Sequence, residues 1–297
     1  MNARQPIPLH MLLGTYPGTE ALITGAVKSE LVTLDFAKVA RANNGFKRVV
    51  RDMEFDVAEL AIVTFLMAKA RGKPLVLLPA VMIGRFQHPY IVYNAARGEL
   101  SPHELNGKRI GLRSYSVTTA TWVRGILQND FGLDLASVQW TTFEEPHVKE
   151  FVDPPNVSRA AEGKDLIQML LDGEIDAAIV GDGAKADPRI KTLFPDPAAQ
   201  AHAWQARNNA IQINHMIVAK QSLVDTHPDA VREVFRLLEE SRRAAAAKGG
   251  KAEPAFGLEA NRRNIEVAID YCVDQKLIDR RLTVDELFDD TTRVLGA

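Results

Sequence analysis

Apolar positions along this chain follow two periods in turn, every second residue over short runs and every third or fourth over longer ones. Leu9–Leu13 is a short apolar run that predicts a strand, and it stops at GTYPGT, where Gly14, Pro17 and Gly18 mark a turn. A helix is expected from there to Val27, then an alternating strand over Leu31–Ala40. FDVAELAIVTFL passes from strand into a helix that ends near Arg71–Gly72. PLVLLPAVM and PYIVYN read as strands separated by GRFQH. A second cycle begins near Gly98: strand KRIGL, a helix over Val117–Phe131, strand VQW, helix DLIQMLLDG and strand AAIVG. INHMIVA returns as a strand, and helices are expected over His227–Lys248, Leu258–Gln275 and Val284–Leu295.

Alternating β and α elements predict the α/β class, with parallel or mixed sheets covered by helices. The second cycle is nested inside the first. Two lobes are therefore expected, each a mixed sheet flanked by helices. Residues 1–96 and 211–297 form the first lobe and residues 97–210 the second. Open α/β sheets receive ligands at the carboxyl ends of their strands, and between two lobes that position becomes a cleft.

Composition removes several function classes. The 297 residues suffice to bury roughly three quarters of the unfolded surface. A formal charge of −2 gives no basic stripe for nucleic acid. No apolar run reaches the length of about 18 residues that a membrane helix needs. MNARQPIPLHMLLGTYPG lacks the long apolar stretch and small-residue cleavage site of a signal peptide, which predicts a cytoplasmic protein. The single cysteine, Cys272, excludes an internal disulfide and reads as a small core residue.

The candidate chemistry concentrates between Lys108 and Trp140. There a strand runs into Ser114, Tyr115, Ser116, Thr118 and Thr119, and a helix opens. Free N–H groups and the helix dipole favour an anion at such a start. Ser116, Thr118 and Thr119 are expected as donors to a carboxylate, as the helix cap, or as both, and Tyr115 as an aromatic wall. Trp122 reads as core, and Arg124 as a structural anchor or a further ligand contact. Arg85 and His88 lie in the loop between two apolar strands. A guanidinium holds carboxylate bidentately, and imidazole carries a proton near neutral pH. The bland alternative has Arg85 bonded to buried carbonyls and His88 packed beside Pro89. His215 interrupts the apolar INHMIVA strand and must find a partner if buried. Tyr16 and Thr19 follow the first strand, and Thr64 follows AELAIV, each offering a hydrogen bond to a ligand. Glu145, His147 and Asp182 are donor types that a divalent metal accepts. EEPH, however, matches no recognised ligand spacing, so no cofactor is expected. No phosphate-binding loop, dinucleotide fingerprint or nucleophile elbow is present.

GRFQHPYIVY, GKRIG followed by SYSVTTATWVRGIL, LIQMLLDGEIDA and INHMIVAK stand in the order and spacing of the 4,5-dihydroxyphthalate decarboxylase family, which the chain resembles from about Leu9 to Ala246. The resemblance implies a type 2 periplasmic-binding-protein fold, with a ligand cleft between its two lobes. It places the family's Arg-Phe-x-His motif on Arg85, Phe86 and His88. Its Thr-Ala-x-Trp-x-Arg-Gly segment falls on Thr119, Ala120, Trp122, Arg124 and Gly125. The family's strand histidine falls on His215 and its first-loop tyrosine on Tyr16. Two segments depart from the pattern, TTFEEPH after the Trp140 strand and GDGAKADP after GEIDA, so the ring pattern of the substrate stays open.

The resemblance implies decarboxylation of a hydroxylated aromatic mono- or dicarboxylate. Arg85 and the hydroxyl cradle would hold a carboxylate, one of His88 and His215 would donate a proton, and the other would meet the phenol oxygen. A non-catalytic solute-binding protein for an aromatic or small carboxylate needs the same clamp, and a different bond change on this fold is a third reading. The long C-terminal helices carry Val234, Leu237, Leu238 and Ile269, a face for the first lobe or for a second copy, and the resemblance implies a homo-oligomer.

Overall fold

The structure, a computed structural model, describes residues 5–181, 187–249 and 254–297. Along the chain it forms β1 (Ile7–Leu12), α1 (Pro17–Ile23), β2 (Val32–Phe36), β3 (Val57–Ala61), α2 (Ile62–Ala70), β4 (Leu75–Gly84), β5 (Ile91–Asn94) and β6 (Arg109–Leu112). Next come α3 (Thr118–Phe131), β7 (Gln139–Thr142), β8 (Val157–Arg159), α4 (Leu166–Asp172), β9 (Ala177–Ile179), β10 (Ile190–Thr192) and α5 (Pro197–Asn208). The chain ends through β11 (Ile213–Lys220), α6 (Gln221–Thr226), α7 (Pro228–Ala247) and α8 (Leu258–Asp274). Two compact units result. One contains Met1–Gly84, Ile213–Ile269 and Arg280–Ala297, the other Arg85–Gln212 and Asp270–Asp279. No described helix is long and apolar enough to cross a membrane.

The first unit holds a five-stranded sheet in the order β2-β1-β3-β11-β4. β1 runs parallel to β2 and β3, whereas β11 is antiparallel to β3 and β4. Alternation in β1 sends Leu9, Met11 and Leu13 to one face, where they join Val231, Val234, Phe235 and Leu238 of α7 in a core cluster. Those α7 positions recur every three or four residues, which makes one apolar stripe. Each such side chain contributes roughly 1.5–3 kcal/mol when fully buried. The apolar face foreseen at Val234, Leu237 and Leu238 is therefore consumed inside this unit.

The second unit holds a six-stranded sheet in the order β10-β5-β9-β6-β7-β8. Arg109 at the start of β6 donates through Nη2 to Asp176 Oδ1 at 2.7 Å and through its backbone N–H to Oδ2 at 2.9 Å, just before β9. The GKRIG and GEIDA motifs thus hold neighbouring strands in register. Hydropathy had set the change of unit at 96/97 and 210/211, while the chain changes unit at Gly84/Arg85 and Gln212/Ile213. PYIVYN explains the shift, because β5 pairs with β9 and β10 and so belongs to the second sheet.

The end of α8 also belongs to the second unit. Tyr271 packs edge-on to Trp122 with ring centroids 5.4 Å apart and accepts a hydrogen bond from Trp204 Nε1 at 3.1 Å. Cys272 is buried there, and desolvation pushes its thiol up to about 12. The helix expected over Val284–Leu295 is not formed. Only a 3-10 turn at Asp285–Leu287 appears. The Asp289 carboxylate accepts the N–H groups of Thr291 and Thr292, and these local bonds compete with a helical ladder.

Gly125 in α3 faces the Tyr271 ring so closely that a Cβ would overlap it. Gly125→Ala is expected to lower stability by about 1–3 kcal/mol through overpacking, despite the better helix propensity of alanine. Urea unfolding followed by tryptophan fluorescence measures the loss; a more stable variant would contradict this packing.

Candidate functional site

A buried polar constellation lies in the first unit, around a residue that sequence reasoning passed over. Glu59 sits in β3, whose five residues are all buried, and its side chain has no solvent exposure. A buried carboxylate is costly unless donors surround it. Two do, the Gly14 N–H to Oε2 at 2.8 Å and the Tyr16 hydroxyl to Oε1 at 2.7 Å, and His215 Nδ1 lies 2.6 Å from Oε1.

Strand register explains the meeting. β11 pairs with β3 so that Ile217 faces Glu59 and His215 faces Ala61. His215 lies two residues from Ile217, so its side chain shares the Glu59 face and reaches it diagonally. Tyr16 arrives from the loop after β1, where it is the cap residue preceding α1. Gly14 must be glycine, since the Tyr16 phenol folds back over it and occupies the space of a Cβ. The Phe46 ring meets the His215 imidazole edge-on at 5.0 Å and fixes its plane. The His215 side chain keeps 16% of its surface exposed. The signal for Glu59 was present in VAELAIV, where one carboxylate interrupts an apolar run just as His215 interrupts INHMIVA.

Thr19 and Thr64 were expected beside Tyr16 as ligand contacts. Thr19 is buried, and its Oγ1 accepts the Tyr16 N–H at 2.9 Å and donates to the Gly14 carbonyl at 2.7 Å. It therefore shapes the loop that presents Tyr16. Thr64 is buried in the first turn of α2.

Arg85 and His88 belong to the second unit, whereas His215 belongs to the first. Arg85 is half-buried. Its guanidinium lies 4.5 Å from the centre of the Tyr90 ring and its N–H donates to the Gln212 carbonyl at 3.0 Å. His88 is 1% exposed and stands edge-on to Phe194 at 5.4 Å. Desolvation, helped by the positive charge of Arg207, lowers its imidazole to about 4. These surroundings keep the His88 imidazole neutral near pH 7.

The helix start at Ser116–Thr119 is more enclosed than a surface cradle. Ser116 and Thr118 are buried, Thr119 is half-buried, and no side chain caps α3 at Val117. Tyr115 is 3% exposed, with its ring against Trp140 at 5.9 Å and stacked on Phe151 at 6.5 Å, so the expected aromatic wall is core. Arg124 is fully buried, 3.8 Å above the Tyr115 ring, and its Nε donates to Gln275 Oε1 at 2.9 Å. Gln275 Nε2 in turn donates to the Thr121 carbonyl at 2.8 Å, which clips α3 to the segment after α8. The anchor reading of Arg124 accounts for these contacts. Burial lowers its guanidinium from the ordinary value, opposed by Tyr115, Cys272 and Asp153.

Glu145 is exposed and His147 buried, and Asp182 lies outside the described residues. Among the described residues no group of three histidine, cysteine or carboxylate side chains is placed to hold a metal ion.

The low His88 value sets a pH dependence of stability. Between pH 6.5 and about 4 the unfolded chain protonates this imidazole while the folded chain does not, so stability falls as pH falls through that window. At 1.36 kcal/mol per unit the loss assigned to His88 approaches roughly 3 kcal/mol. His88→Gln is expected to remove that share of the acid slope in urea unfolding between pH 7 and 4. An unchanged slope would show that burial does not hold His88 neutral.

Comparison with known proteins agrees with this architecture. The chain is 29% identical over 255 residues to a 4,5-dihydroxyphthalate decarboxylase from Comamonas testosteroni, covering 82% of this chain and 77% of that protein. It is 30% identical over 220 residues to a 4,5-dihydroxyphthalate decarboxylase from Pseudomonas putida, covering 68% of this chain and 84% of the relative. The crystal structure of the periplasmic aliphatic sulphonate binding protein SsuA from Escherichia coli superposes with a TM-score of 0.63. That match covers 99% of this chain and 95% of SsuA at 13% identity, which establishes the periplasmic-binding-protein fold. No family model matches the chain. Sequence identity at this level over most of the Pseudomonas protein establishes that the chain belongs to the 4,5-dihydroxyphthalate decarboxylase family.

Proposed function

We propose that this protein is a carboxy-lyase that decarboxylates a hydroxylated aromatic mono- or dicarboxylate, with 4,5-dihydroxyphthalate as the leading substrate. The observation that carries the reading is an imidazole held on a buried carboxylate, in a chain whose relatives bear that activity in their names.

The chemistry asks for such a group. Direct loss of carbon dioxide from an aromatic ring leaves an aryl carbanion, a high-energy species. The easier route protonates the ring carbon that carries the carboxylate while a para hydroxyl gives up its proton and becomes a carbonyl. The carbon–carbon bond then breaks, its electron pair restores the aromatic ring, and the oxygen regains its proton. One proton is consumed overall, and carbon dioxide leaves. A base at the phenol oxygen therefore lowers the barrier to the first step, and general catalysis of this kind contributes about 10²–10⁴-fold. His215 is suited to that role, because its ring is oriented at two points and part of its surface is open. His88 is neutral and enclosed by aromatic rings, which suits packing better than proton delivery.

A solute-binding protein without chemistry is the second reading, favoured by the fold shared with the sulphonate-binding protein. That likeness speaks for the fold alone, whereas the decarboxylases match in sequence over most of their length. Incubation of the purified protein with 4,5-dihydroxyphthalate is expected to release carbon dioxide stoichiometrically with the dihydroxybenzoate product. His215→Ala is expected to lower kcat by about 10²-fold or more while the circular dichroism spectrum is kept. Tight binding of hydroxylated phthalates and benzoates with no carbon dioxide from any of them would remove the enzyme reading and leave the receptor.

A further inference from the structure

We propose that Glu59 is a positioning residue that fixes His215 as its Nδ1–H tautomer, so that Nε2 is the nitrogen that receives the proton of a substrate phenol. The proposal rests on the decarboxylase reading for its substrate and on the first unit alone for its geometry.

A carboxylate can only accept hydrogen bonds. Glu59 Oε2 is taken by a backbone N–H, which can only donate, and Oε1 is taken by the Tyr16 hydroxyl. For Nδ1 to sit 2.6 Å from the same Oε1, it must carry a proton. Nε2 is then the acceptor of the neutral ring, and among the described residues it makes no hydrogen bond. A carboxylate that holds one imidazole nitrogen sets which nitrogen works at the other end.

This arrangement selects the kind of group that can approach. A ligand hydroxyl donates and matches an open acceptor. A ligand carboxylate can only accept, and it would bring a second negative charge near a buried one in a low-dielectric surround. Among the described residues no lysine or arginine pairs with Glu59; its only titratable partners are Tyr16 and His215. The first unit should therefore read the hydroxyl edge of the ring and leave the carboxylates to other residues. In the transfer itself the phenolic O–H bond breaks, an Nε2–H bond forms, and the electron pair stays on the phenol oxygen. No oxidant, reductant or metal enters the step.

Two measurements test this. Nitrogen-15 spectra of histidine-labelled wild-type protein, recorded where the ring is neutral, are expected to show His215 protonated at Nδ1 and bare at Nε2. Binding of two non-reacting probes then separates the ring edges: catechol, which has the hydroxyls alone, and phthalate, which has the carboxylates alone. Glu59→Gln and His215→Ala are each expected to weaken catechol about tenfold and to leave phthalate within twofold of wild type. Glu59→Gln should also lose the single tautomer. An Nε2–H tautomer in the wild type overturns the proposal even if Glu59→Gln does not fold. So do catechol affinity unchanged in both variants and equal losses for catechol and phthalate. Because neither probe reacts, an absence of carbon dioxide from 4,5-dihydroxyphthalate would reject the enzyme reading without touching these outcomes.

Discussion

A carboxylate without solvent contact governs the first unit. Glu59 stands in the middle of an all-buried strand, and such a charge persists only where donors replace its water. That requirement reaches into three parts of the chain at once. It calls for a loop after β1 that can aim both a backbone N–H and a phenol, and for a strand register that brings an imidazole to the same face. Gly14, the Tyr16 cap, the Thr19 hydroxyl and the pairing of β11 with β3 all follow from satisfying one side chain. The group that needs the donors also orients them.

The second unit handles its buried polar groups differently. Arg124 keeps a cation in the interior by lying on the Tyr115 face and sharing one bond with Gln275, with the Asp153 carboxylate near enough to favour its charge. His88 takes the other course and stays uncharged among aromatic rings. Two histidines that look alike in sequence therefore have opposite chemical character. One is partnered by a carboxylate and partly open, while the other is surrounded by carbon and by a positive charge.

Most of the motifs that mark the family serve architecture in this chain. Arg109 of GKRIG grips Asp176 of GEIDA across adjacent strands. The Thr-Ala-x-Trp-x-Arg-Gly segment supplies Trp122 to an aromatic cluster, Arg124 to the clip on Gln275, and Gly125 to the seat of Tyr271. Such motifs identify the relatives because they specify how the sheets and helices lock together. The INHMIVAK strand and the Tyr16 loop instead bring polar groups to the buried Glu59 carboxylate.

The sequence by itself determined the class of fold and most of its elements, because periodicity reports which face of a strand or helix is apolar and needs no knowledge of partners. It also singled out Tyr16, by its place in the loop after the first strand, and His215, as a polar group in an apolar run. It erred over Val284–Leu295, where local bonds from Asp289 outcompete a helical pattern, and it did not reveal that β5 pairs with strands remote in sequence. Only the tertiary structure decided that Glu59 meets both Tyr16 and His215, 43 and 156 residues away, and that His88 is desolvated. Charge state and hydrogen-bond partnership depend on what surrounds an atom in space, and residues far apart along the chain supply those surroundings.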